Sequence, residues 1–132
     1  TEEWQKNGVQ KGIEYAILTD EITKAWSGMN TRQYKRFKGL KKENLRDNMS
    51  DMELVLNMLA EATKTELSKA HNPQGLAENK EIARRGGKVA GETRKSIETE
   101  TGRYVITNHN AATLNDVVTN MIETVSKDKT EE

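Results

Sequence analysis

At 132 residues the chain is sized for one domain, and 33% hydrophobic against 32% charged residues joins a lean core to a heavily solvated surface. With no cysteine, a disulfide framework and a thiolate metal site are excluded. The 21 basic and 21 acidic residues cancel to a net charge of zero, which argues against general affinity for nucleic acid.

One proline and an abundance of Glu, Lys, Ala, Leu and Arg favour helices over strands. The expected fold class is all-α: about five helices in a single domain over residues 1–127, with a charged tail at 128–132. No apolar h-region opens the sequence and no apolar run approaches membrane-spanning length, so a cytoplasmic protein without membrane contact is expected. The first residue is Thr1, not methionine, and the chain is expected to be a piece of a longer protein.

The first helix is predicted over 12–26, where Tyr15, Leu18, Ile22, Ala25 and Trp26 fall at helical spacing and Gly28 follows as a stop. Trp26 shares that stripe and belongs in the core; Trp4 is expected to anchor the N-terminus on a neighbouring helix or a partner. Thr31 is expected to cap a short second helix that runs to Phe37 and ends at Gly39. Ser50 and Glu53 have the spacing of a capping box and start the third helix. One apolar stripe follows at Met52, Val55, Leu56, Leu59 and Leu67, and a second at Leu54 and Met58. A helix apolar over most of its circumference is either central in the core or shared with another subunit.

The loop at 71–75 holds Pro73 and Gly75. A fourth helix is predicted from about Leu76 to Glu100, ending at Gly102. It contains Gly86, Gly87 and Gly91, each costing about 1 kcal/mol against alanine. Ala83, Gly87 and Gly91 lie on one face and suit close approach of another backbone, within the chain or in a dimer. The alternative is a break at Gly86-Gly87 into two shorter helices. Residues 103–107 are the one segment that reads as extended. A last helix is predicted over 111–125, with Leu114, Val117, Val118, Met121, Ile122 and Val125 on one stripe; Val118 and Ile122 are its candidate dimer contacts.

Catalytic signals are absent. His71 and His109 are isolated in loops, no G-x-S-x-G occurs, and the glycines of the fourth helix lack the spacing and preceding strand of a phosphate-binding loop. Neither a cofactor nor a metal is expected, and the chain is not expected to be an enzyme. Between 31 and 46, seven basic residues (Arg32, Lys35, Arg36, Lys38, Lys41, Lys42 and Arg46) face one acid, Glu43. That segment carries +6 and the remainder −6. Its cations either contact a partner or nucleic-acid phosphates, with Tyr34 and Phe37 interleaved, or form a solvated face paired with acidic helices. Arg84, Arg85, Lys88, Arg94 and Lys95 form a second basic run with the same two readings.

The stretches Y-K-R-F-K-G-L-K-K-E-N-L-R-D-N-M (34–49), M-S-D-M-E-L-V-L-N-M-L-A-E-A-T-K-T-E (49–66), I-A-R-R-G-G-K-V-A-G-E-T-R-K-S-I-E (82–98) and T-G-R-Y-V-I-T (101–107) carry a resemblance. They are similar to the C-terminal region of DNA-damage-inducible protein D and of prophage antirepressor-like proteins with an N-terminal Bro domain. The resemblance falls within 34–107, over half the chain. No strand-rich Bro-type segment is present. The resemblance implies a C-terminal partner domain in transcription regulation, in phage control or the DNA-damage response, and supplies no catalytic residues. The expectation is a protein-interaction and oligomerisation domain, most simply a homodimer, with an unidentified protein partner and weak or no direct binding of nucleic acid. The alternative is a nucleic-acid-binding module using residues 32–46.

Overall fold

The computed structural model describes residues 2–10 and 12–112. Within them the chain is all-α: α1 (Glu2–Lys6), α2 (Ile13–Ser27), α3 (Thr31–Phe37), α4 (Asp51–His71) and α5 (Gly75–Thr101), with a 3-10 turn at Arg46–Asn48. The four longer helices match expected elements, whereas α1 is an addition. No strand occurs among the described residues. Residues 103–107 are irregular chain that turns Val105 into the core. The predicted last helix, with Val118 and Ile122, lies outside the described residues beyond Ala112.

The helix ends follow local chemistry. Gly28 adopts a left-handed φ of 83° and returns its N–H to the Lys24 carbonyl, stopping α2. Asn30, not Thr31, caps α3: its side chain accepts from Gln33 N–H at 2.9 Å, and the Gln33 side chain accepts from Asn30 N–H at 3.0 Å. Asparagine one residue upstream, with glutamine three residues on, completes a capping box that Thr31 cannot form with its own downstream neighbour Tyr34. Ser50 and Glu53 form the expected box at α4.

The longest helix, α5, runs unbroken through both adjacent glycines. It packs most extensively against α4 and α2. Gly86 faces α4, where an added Cβ would lie 2.7 Å from Lys64 N. Gly87 faces α2, where a Cβ would lie 2.5 Å from Ala25 Cβ and 2.7 Å from the Ile22 carbonyl oxygen; at Gly91 it would lie 2.8 Å from that of Ala25. The glycines therefore do not break the helix. They let two helix backbones approach α5 on neighbouring faces, and the contact offsets their poor helix propensity. Ala83, Gly87 and Gly91 are buried in this intrachain contact, so a second copy cannot use that face.

Leu18, Ile22 and Trp26 of α2, Tyr34 of α3, Leu56 and Ala60 of α4, and Ala83 and Ala90 of α5 fill the core. The Trp26 indole donates to Asn57 Oδ1 at 3.2 Å. Trp4 is buried within the same chain, edge-on to Tyr15 at 5.2 Å between ring centroids. Gly75 N–H donates to the Asn7 carbonyl at 2.8 Å, tying the N-terminal segment to the start of α5.

Gly87→Ala tests the close contact. The substitution adds about 1 kcal/mol of helix propensity, but overpacking against backbone costs about 1–3 kcal/mol. A lowered urea midpoint is expected; a raised midpoint would show that α2 and α5 do not touch at this position.

Candidate functional site

Helix α4 has its polarity the wrong way round. Its buried seam runs through Glu53, Leu56, Ala60, Lys64 and Ser68, of which three are polar or charged. Its outer face carries Met52, Val55 and Met58, which are 41%, 50% and 50% exposed. At three-residue spacing they occupy one arc of the helix, with exposed Ala62 between them and half-buried Leu59 at the edge. The sequence predicts apolar residues around most of this helix; the structure buries Leu56 and Ala60 and leaves the methionines and Val55 outside.

Glu53 explains the inner half. Its Oε1 accepts from Ser50 N–H at 3.3 Å and from Lys38 Nζ at 2.9 Å, and its Oε2 accepts from the Tyr34 hydroxyl. The Lys38 and Glu53 side chains are both 0% exposed. Lys38 spends its remaining donors on the carbonyls of Thr107, at 2.9 Å, and His109, at 2.6 Å. The backbone around it is held as well: the Asn110 amide donates to the Lys38 carbonyl at 3.0 Å, and Ala111 N–H to Asn48 Oδ1 at 2.9 Å. One buried ion pair thus ties α3, α4 and the segment after α5 together. Burial, the hydrogen bond to Glu53 and the Glu53 charge push the Tyr34 hydroxyl far above the usual tyrosine range, so it stays a donor.

The basic segment does not act as a unit. Lys38, expected at a partner or phosphate contact, lies in the core instead, because its ammonium neutralises Glu53. Arg46 pairs with Glu61 at 3.4 Å on the surface. Arg32, Arg36, Lys41 and Lys42 are exposed and Lys35 is half-buried; among the described residues none of these five forms an ion pair. Glu43 is engaged locally, accepting from Lys41 N–H at 2.6 Å, and this and neighbouring backbone bonds hold its carboxyl below the usual range. In the second run, Arg84 pairs with Glu81 at 2.6 Å. Arg94 bridges Glu98 at 2.9 Å and donates to the Trp26 carbonyl at 2.8 Å, closing the C-terminus of α2.

A cleft of about 570 Å³ lies where Trp4, α2, α3, residues 44–46 and α4 meet. Lys35, Arg46, Glu61 and Lys64 line it together with Trp4. The Lys64 ammonium sits 4.3 Å from the Trp4 ring centroid. Among the described residues the buried Trp4 indole N–H has no hydrogen-bond partner. Among the described residues no three His, Asp or Glu side chains converge as a metal-binding group, and no helix is long and apolar enough to cross a membrane.

No family model, curated protein or solved structure matches this chain. Function has to be read from its own geometry. Sequence reasoning missed the Tyr34–Glu53–Lys38 cluster and the cleft. Part of the signal was present: the capping box fixes Glu53 at the third helical position, and Tyr34 and Lys38 are four residues apart.

Lys38→Ala is expected to destabilise the fold by about 3–5 kcal/mol, because it strands a buried carboxylate. Chemical denaturation reads the loss, and hydrogen exchange at 103–111 should quicken. A change under about 1 kcal/mol, the size of an exposed pair, would contradict the buried arrangement.

Proposed function

We propose that this chain is a regulatory protein-docking domain whose docking surface is the outer face of α4, and that a second copy of the chain is the first partner it engages. The inverted polarity of α4 is the observation that carries the reading. An isolated helix face gains nothing from placing Met52, Val55 and Met58 in water while Glu53 and Lys64 are buried. Pairing removes that apolar surface from water. Methionine is unbranched and polarizable, which suits a surface that must fit a partner. A two-fold pair sets the same patch against itself, and a net charge of zero gives two copies little mutual repulsion. The resemblance to the C-terminal region of DNA-damage-inducible protein D and phage antirepressor-like proteins supports a setting in cytoplasmic transcription regulation. No catalytic role is assigned.

A second reading, a nucleic-acid contact, is favoured by one observation: among the described residues none of the five cations Arg32, Lys35, Arg36, Lys41 and Lys42 is held in a close ion pair, although the Lys41 charge acts on Glu43. Phosphate tracking would make duplex binding fall steeply with salt. The expectation is weak or no binding by this chain. Sub-micromolar binding at physiological salt, abolished by Lys35→Glu with Lys41→Glu and Lys42→Glu, would favour this reading instead; Lys38 stays unchanged in that test because it belongs to the core.

For the docking reading, sedimentation equilibrium on the order of 10 µM should give twice the chain mass of 14.9 kDa. Val55→Asp with Met58→Asp should return the monomer mass with helicity intact, since both positions are exposed. A monomer mass for the unmodified chain would reject self-association.

A further inference from the structure

The outer face of α4 holds two thioethers in water. Met52 and Met58 are exposed, whereas Met49, just before the helix, is buried and Met29 packs half-buried against the core. A sulfur must meet its oxidant to react, so among the described residues Met52 and Met58 are the reactive methionines. Neither belongs to the buried seam of α4, which runs through Glu53, Leu56, Ala60, Lys64 and Ser68. A chemical change at either sulfur therefore alters the outer face and leaves the packing of the helix in place.

We infer that Met52 and Met58 are modification sites that form an oxidation switch on self-association: hydrogen peroxide converts them to sulfoxides, and the oxidised face no longer pairs. The inference rests on the docking reading of that face. In the chemical step the thioether sulfur attacks one peroxide oxygen. The O–O bond breaks, an S–O bond forms, and the other oxygen leaves as water after a proton shift. Sulfur gives up an electron pair and the peroxide takes it. An apolar, polarizable side chain becomes a polar one with a hydrogen-bond acceptor. Met52, Val55, Met58, Leu59 and Ala62 carry no side-chain donor, and a two-fold pair sets this face against itself. The sulfoxide oxygen loses its water on pairing and gains no partner, which penalises the pair. Pairing in turn covers both sulfurs, so association slows oxidation and oxidation opposes association.

The test treats the full 132-residue chain with hydrogen peroxide, locates sulfoxides by peptide mass spectrometry and reads association by sedimentation. In dilute sample Met52 and Met58 should oxidise several-fold faster than Met49, and more slowly as the concentration rises through the dimerisation range. Their oxidation should raise the dimer dissociation constant about tenfold or more, the effect of one buried acceptor left without a partner, with helicity unchanged. Methionine sulfoxide reductase with a dithiol should restore the dimer. Met52→Leu with Met58→Leu conserves volume and should give a dimer that peroxide does not dissolve, although Met29, Met49 and Met121 remain. An unmodified chain that is monomeric before peroxide is added overturns the docking reading and this inference with it. Four outcomes overturn this inference alone: a dimer that persists with both sulfurs oxidised, a doubly substituted dimer that peroxide still dissolves, a loss that the reductase does not reverse, or Met49 reacting as fast as Met52 and Met58.

Discussion

The close approach of α5 to two other helices is the constraint on which the rest depends. Gly86 admits the backbone of α4 at Lys64, and one residue on Gly87 admits the backbone of α2 at Ile22 and Ala25. Adjacent positions on a helix differ by about 100°, so this pair of glycines sets the two flanking helices on neighbouring faces. A core this lean cannot rely on large side chains alone; part of its packing comes from backbones brought within van der Waals reach. Once α2 and α4 are fixed on α5, Trp26 of α2 meets Asn57 of α4, and α4 is held with its seam inward.

What α4 turns inward then includes Glu53, Lys64 and Ser68 beside Leu56 and Ala60, and that has consequences at both of its faces. Glu53 is buried with Lys38 and Tyr34, each donor and acceptor satisfied by a named partner. A buried ion pair of this kind is weak as a source of stability but strong as a specifier, because any register that separates the partners leaves a charge in the core. It therefore fixes the rotation of α4 about its own axis. The same rotation places Met52, Val55 and Met58 in solvent. The docking face and the ion pair are two results of one geometric choice, and a partner meeting that face would meet a rigid helix whose orientation is already set.

Much of this was legible in the sequence because the signals were local. The helix of Leu18, Ile22 and Trp26, its stop at Gly28, the box of Ser50 and Glu53, and the end of the long helix at Gly102 all follow from spacing and caps within a few residues. What escaped was set by tertiary contact. Lys38 reads as one more surface cation in a run of seven, since lysine is rarely buried; its place is decided by Glu53, fifteen residues away, and by carbonyls about seventy residues away. The glycines of α5 are equally consistent in sequence with a break and with a contact, and only the neighbours at Lys64 and Ile22 decide. The cap at Asn30 was displaced by one residue because Gln33, not Tyr34, can return the hydrogen bond. The cleft draws on five separate elements and leaves no local pattern at all.

The central claim is that α4 keeps one face for the fold and the other for a partner, and its methionines report on both. Met49 is buried just before the helix, whereas Met52 and Met58 lie on the exposed face. Methyl-labelled methionine spectra recorded over a dilution series resolve these side chains in the unmodified chain. The account predicts that the Met52 and Met58 methyl signals move with concentration while Met49 stays in place. Signals of Met52 and Met58 that do not change from the most dilute to the most concentrated sample would contradict it.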